Sequence, residues 1–200
     1  MLAFGSNGRV YTVPVSVLPG ARGDGQPVTT FIELEPGTHL VHYFAGAPNA
    51  WLLLSNTGGY GFLATVENMM SRLKAGKAFI SVGEGETVCR PSPANVPPQA
   101  PATQVCCISA AKRILTFDIS ELKPMANGGR GLLLIDLDKK DMLVGAAAYT
   151  RSVRITGISR EKEREEVLEI RSLNNAKAGR GRKGRTTELG FKPSGIERVE

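Results

Sequence analysis

The side chains best equipped for chemistry in this 200-residue chain are basic and stand beside glycine. Arg22 lies in ARGDG (21–25), Arg72, Lys74 and Lys77 in RLKAGKA (72–78), Arg130 in NGGRG (127–131), and Arg180, Arg182, Lys183 and Arg185 in GRGRKGR (179–185). An arginine fork matches two phosphate oxygens, and glycine lets a backbone approach a phosphate and turn its N–H groups toward it. The chemistry implied is anion recognition. Charge points the same way, with 25 basic residues against 19 acidic and a net charge of +6. The excess is confined to residues 171–187, where Arg171, Lys177, Arg180, Arg182, Lys183 and Arg185 meet no acid. A basic segment on a balanced body suits a polyanion, either nucleic acid or an anionic membrane surface.

Other chemistry is poorly provided for. There is no GxxxxGK[ST] phosphate loop, no HExxH and no GxSxG, and the GxG pieces at 23–25 and 179–181 lack a strand–helix context. Cys89, Cys106 and Cys107 are an odd count without CxxC spacing. They read as small buried hydrophobes in a reducing compartment, with Cys106 facing the core and Cys107 the other side of a strand, or the reverse. His39 and His42 are three apart in an extended stretch and point apart, which makes them poor joint metal ligands. Asp136 and Asp138 read as a solvated strand edge, and Tyr11, Tyr43, Tyr60 and Tyr149 as core or rim packing. No catalytic residue, metal or cofactor is expected in this domain. No apolar run approaches the length of a membrane span, and the start MLAFGSNG lacks a basic leader region. The expected location is the cytoplasm.

The elements that must hold the basic loops come from an internal repeat. GRVYTVPVSVLP (8–19), GYGFLATVENMM (59–70) and KRILTFDISELK (112–123) align, with RSVRITGISREK (151–162) as a fourth, weaker copy. Short apolar strands precede each copy: LAFGSN, LLLSNTG, VCCISAA and AAAYTR. A basic Gly loop follows each, then a strand candidate: VTTFIEL (28–34), AFISV (78–82), LLLIDL (132–137) and TELGF (187–191). THLVHYF (38–44) and MLVGAAAY (142–149) supply further strands. Four short strands per unit of this length predict antiparallel propeller blades that stack to bury both faces. The chain is read as one all-β domain, residues 1–200, with units 6–55, 56–109, 110–149 and 150–200. It opens inside a unit, which predicts a fragment of a longer polypeptide. RPSPANVPPQAPAT (90–103) is expected to be an extended surface loop, and SREKEREEVLEIRS (159–172) a short helix or charged loop with Lys162 and Glu166 paired.

In such an array equivalent loops fall on the same part of every blade, so their bases form a curved stripe. Duplex DNA carries a charge about every 1.7 Å of its axis. The expectation is sequence-tolerant contact with the DNA backbone and bending of the duplex, at a deformation cost of about 1–6 kcal/mol. The predicted contacts are Arg22, Arg72, Lys74, Lys77, Arg130, Lys177, Arg180, Arg182, Lys183 and Arg185. A propeller serving as a protein-interaction platform, docking through the Pro-rich loop or the 159–172 segment, is the competing reading. A blade-built glycosidase would need carboxylates converging on the channel, and the acids here cluster in loops.

The runs SNGRVYTVPVSVLPGARGDGQPV, SNTGGYGFLATVENMMSRLKAGKAFISV and AKRILTFDISELKP resemble the C-terminal domain of the A subunits of bacterial topoisomerase IV and gyrase. GYGF (59–62) with the RLKAGKA loop is the most specific part. The resemblance implies a β-pinwheel, a propeller-like disc whose blades exchange a strand, with a basic rim that contacts double-stranded DNA and guides the choice of supercoil or crossing. It implies a parent A subunit that homodimerises and pairs with a B subunit in a heterotetramer at the nucleoid. ATP and Mg belong there to the catalytic core with the B subunit. The active-site tyrosine belongs to the N-terminal part, so no tyrosine here inherits that role. The gyrase domain carries a Gln-Arg-Arg-Gly-Gly-Lys-Gly box that wraps DNA in a chiral loop. The nearest stretch here, Gly179 to Gly184, lacks the Gln and the paired Gly, which favours topoisomerase IV over the gyrase alternative.

Overall fold

A computed structural model describes residues 1–20, 24–95 and 103–199. The fold is all-β, a β-pinwheel of four antiparallel blades. Each blade is built on a hairpin. These are β1 (Leu2–Gly5) with β2 (Arg9–Thr12), β4 (Trp51–Ser55) with β5 (Tyr60–Thr65), β8 (Gln104–Ser109) with β9 (Arg113–Asp118), and β12 (Ser152–Ser159) with β13 (Lys162–Glu169). An inner strand returns beside the first strand of each hairpin: β3 (Leu40–Phe44), β7 (Ser92–Ala94), β11 (Leu143–Tyr149) and β15 (Lys192–Val199).

Strand exchange completes the first three blades. β6 (Lys77–Ala78), β10 (Leu132–Leu133) and β14 (Arg185–Thr186) each leave their own unit and pair with the second hairpin strand of the blade before, β2, β5 and β9 respectively. The orders are β3-β1-β2-β6, β10-β5-β4-β7 and β11-β8-β9-β14, and the fourth sheet is three-stranded, β13-β12-β15.

The hairpin turns give the repeat its true register. The residue before each second strand is left-handed: Gly8, Gly59, Lys112 and Glu161, with φ of 83°, 87°, 62° and 63°. The fourth copy of the anchor segment therefore begins at β13, and the alignment on 151–162 is corrected by one strand. One helical turn follows each second strand, at Val15–Val17, Val66–Met69, Ile119–Glu121 and Ile170–Asn174. Two of them have clear starts. The Thr65 N–H donates to Asn68 Oδ1, and the Ser120 N–H donates to Asp118 Oδ1.

Four other expectations are corrected. The charged stretch 159–172 is neither helix nor loop over most of its length, because all eight residues of β13 pair with β12. Residues four apart in a strand are about 13 Å apart, so the Lys162–Glu166 helical pair cannot form. VTTFIEL is not a strand; Val28–Thr30 forms a 3₁₀ turn after Pro27, which lacks an N–H for a ladder. TELGF does not form a strand either, because β14 ends at Thr186. The Pro-rich insert is not a surface loop throughout either: Ser92–Ala94 is β7, with Ser92 and Ala94 buried against β4, and residues 96–102 lie outside the described residues.

Three cores stack the blades. Leu2, Phe4 and Val10 of blade 1 meet Leu52, Leu54, Phe62 and Ala64 of blade 2. Leu53 and Leu63 on the opposite face of blade 2 meet Val105, Cys107, Leu115 and Phe117 of blade 3. Cys106, Ile108 and Tyr149 then meet Val153, Ile155 and Ile196 of blade 4. Cys106 and Cys107 do point to opposite faces, and both faces are buried because each meets a neighbouring blade. The outer face of blade 1 is closed by its own long loop, with Phe31, Ile32 and Leu34 on Ala3 and Tyr11. No helix among the described residues is long and apolar enough to cross a membrane.

Candidate nucleic-acid interface

The basic loops are straps pinned at both ends to one strand of the preceding blade. In the first strap the Ser71 N–H donates to Thr12 Oγ1 at 2.9 Å, and Lys77 at the far end pairs with Val10. In the second the Met125 N–H donates to Leu63 O at 2.8 Å, and Leu132 pairs with Gly61. In the third the Ala178 N–H donates to Thr116 O at 2.9 Å, and Arg185 pairs with Ile114. Each strap therefore bulges outward between two anchors on β2, β5 or β9.

The glycine beside each returning strand explains this close approach. Gly76, Gly131 and Gly184 all have positive φ, and a Cβ on them would run into the carbonyl oxygens of Val10, Gly61 and Ile114. Contact between blades, not approach of a phosphate, requires glycine at these three places. Around Gly179 there is open space, so nothing packed there dictates glycine.

The straps hold their charges differently. Arg72 and Lys74 are exposed and carry no ion pair among the described residues, and Arg182 is the same. Lys77 turns inward: its Nζ donates to Asn68 O at 2.9 Å and lies 5.2 Å from the Phe79 ring centre. Arg130 is clamped, 2.7 Å from Glu86 Oε1 and stacked 4.4 Å over the Tyr60 ring centre. Arg180 braces its strap, its Nη1 donating to Leu133 O at 2.7 Å and its backbone N–H to Glu121 Oε2 at 2.9 Å. Lys183 is 2.8 Å from Asp138 Oδ1, and Arg113 is 3.5 Å from the other oxygen of that carboxylate. The lysine's hydrogen bond and charge hold the Asp138 carboxyl below its ordinary range, and Asp138 raises the lysine in return. Arg185 donates to Asn175 O, and Lys177 is exposed. Arg22 lies outside the described residues.

Asp138 is solvated as expected, but it lies outside any strand and is the acidic partner of a strap. Glu86 plays the same part for Arg130, and Glu35 pairs with Arg9 at 3.2 Å. These acids lie in the turn after each strap or its equivalent, and sequence reasoning missed them. It also missed Arg9 and Arg113, which start second hairpin strands, and the exposed Lys139 and Lys140. The signal for the last two is the KK pair inside DLDKKD, hidden by the acids around it.

Among the described residues no thiol is presented. All three cysteines are free and buried, and burial pushes the Cys89 thiol up to about 12. Burial lowers His42, whose ring contacts Val88 O, and raises Tyr11. Tyr11 and Tyr149 are core, Tyr60 lies under Arg130, and Tyr43 is half exposed. Among the described residues no group of His, Cys, Asp and Glu could hold a metal ion.

Known proteins share this sequence pattern and this fold. The family described as DNA gyrase C-terminal domain, beta-propeller, matches residues 1–41 and 103–149. The A subunit of DNA topoisomerase 4 from Neisseria gonorrhoeae is 38% identical over 148 residues, covering 70% of this chain and 18% of that protein. Its counterpart in Escherichia coli K12 is 31% identical over 199 residues, 98% of this chain and 25% of that protein. The chain thus spans a quarter or less of these relatives. The structure of the E. coli ParC C-terminal domain superposes with a TM-score of 0.83 at 26% identity, covering 98% of this chain and 79% of that one.

Proposed function

The chain belongs to the family of C-terminal domains of topoisomerase IV and gyrase A subunits, and we propose on that premise that its strapped rim holds duplex DNA. Contact is with the sugar–phosphate backbone, tolerant of sequence, and bends the duplex along the blades. The domain carries no catalytic group of its own. It guides the choice of supercoil or crossing for a type IIA topoisomerase that passes strands at the expense of ATP. In the bacterial cytoplasm the parent A subunit forms a dimer and joins two B subunits, which with the core supply ATP and Mg chemistry.

The observation that carries this reading is the repeated strap. Three loops anchored in the same way project from the same edge of successive blades, and the first and third offer unpaired bases there: Arg72, Lys74 and Arg182. Lys177 extends the third strap's contact, while Lys183 and Arg185, held by Asp138 and Asn175, contribute less. Lys77, Arg130 and Arg180 act mainly by shaping the straps. Arg22, in the corresponding Gly loop of the first unit by sequence, is proposed as a further contact on that ground alone.

Fluorescence anisotropy of a labelled duplex, titrated at several salt concentrations, tests the reading. Contact with Z phosphates gives a log–log slope of about −0.9Z, so four contacts would give a slope near −3.6. Absence of binding at low salt would overturn the DNA role and favour a protein-interaction platform.

A further inference from the structure

We propose that Leu73 is an apolar wedge that enters the base stack of the bound duplex and sets a kink at the first strap. The inference rests on the duplex-binding reading above. At 70% exposure Leu73 is the most exposed large apolar side chain among the described residues. It stands between Arg72 and Lys74, the two unpaired cations of its strap.

Its backbone is fixed rather than loose. The Leu73 N–H donates to Ser71 Oγ at 3.1 Å, and its carbonyl accepts from the Gly76 N–H at 3.0 Å. On either side, the Ser71 N–H is bonded to Thr12 Oγ1 at 2.9 Å and the Glu33 N–H to Lys74 O at 2.9 Å. A leucine on a free loop would settle into the neighbouring groove, where Val17, Phe31 and Met70 offer apolar surface. Leu73 lines the edge of that groove itself, yet leaves most of its side chain in solvent. The feature is specific to one strap: the residue three before the anchoring glycine is Leu73 in the first, but Gly128 and Gly181 in the others.

Flanking cations and a projecting leucine match what is needed to kink a duplex. The cations grip phosphates on either side of a step, and the apolar side chain occupies the gap as the bases part. Pyrimidine–purine steps part most readily, so the kink should settle on TA and CA/TG steps although no base edge is read.

Permanganate oxidation of thymines, which reports open base stacks, tests this on a TA-containing duplex with anisotropy run in parallel. The wild type at saturation should raise reactivity at TA steps several-fold, about fivefold, over free DNA. Leu73→Ala at saturation should return reactivity to that of free DNA while affinity falls by less than about tenfold. Leu73→Met should retain the reactivity. Arg72→Ala/Lys74→Ala should weaken binding yet still open the stack once saturated. A duplex that binds without thymine reactivity, or an alanine variant that opens it like the wild type, would overturn the wedge and leave DNA binding intact. A flat anisotropy titration would remove both.

Discussion

The first strap and the third occupy equivalent places on successive blades, yet their charges are engaged differently. The third is the more basic: Arg180, Arg182, Lys183 and Arg185 lie within six residues. Of these Arg180 braces Leu133 and Glu121, Lys183 faces Asp138 and Arg185 bonds Asn175, leaving Arg182 unpaired. The first strap has fewer bases, but Arg72 and Lys74 are both unpaired. Charge that already faces a carboxylate contributes less to a distant phosphate, because the pair presents little net field. On the proposed duplex-binding reading, the difference ranks the loops by available rather than counted charge.

The largest effect that would break this comparison concerns the fold beneath it. Gly184→Ala and Gly131→Ala force a Cβ against a backbone carbonyl of the preceding blade at positive φ. Each should cost about 1–3 kcal/mol or more, read as a lowered midpoint in urea unfolding. An alanine at Gly179, which faces open space, should change stability by less than about 0.5 kcal/mol.

Next in size is binding. Asp138→Asn removes the carboxylate that faces Lys183 and Arg113 and should strengthen duplex binding by the third strap about two- to fivefold at low salt, an effect that fades as salt rises. No gain would mean that Lys183 reaches phosphate regardless of Asp138.

Arg130→Ala is expected to lose the Glu86 pair and the Tyr60 stack, costing about 0.5–1 kcal/mol of stability while affinity changes by less than about twofold. A large affinity loss with little loss of stability would restore Arg130 to the contact surface.

The smallest effect is a titration. The folded Asp138 carboxyl lies below its unfolded value, so its contribution is present above the unfolded pKa and is lost as pH falls through the folded one. The group is exposed, and the change in stability should be slight. Carboxyl NMR should show the Asp138 transition moving up toward the ordinary aspartate range in Lys183→Ala. An unmoved transition would disprove the pairing.

Much of the fold was legible because the first three hairpins are largely apolar runs ended by turns, as in LLLS and YGFLAT. The exchanged strands were harder, since β6, β10 and β14 have two residues each and exist because another blade offers a partner. β13 was hidden by exposure: solvated over nearly all its length, it shows no alternation, and its pairing with β12 overrides a helical charge pattern. For the candidate interface, the basic Gly loops were visible and their restraint was not. Glu86, Asp138 and Glu121 lie 44, 45 and 59 residues from the bases they hold, a spacing no local pattern reveals.

The most direct test compares two double variants that remove equal charge. Arg72→Ala/Lys74→Ala should reduce the salt dependence of duplex binding by about 1.8 in log–log slope, as expected for two lost phosphate contacts. Arg130→Ala/Lys183→Ala, whose bases face Glu86 and Asp138, should change the slope by less than about half that amount. Equal slopes, or a larger loss in the second pair, would contradict the ranking of straps by available charge.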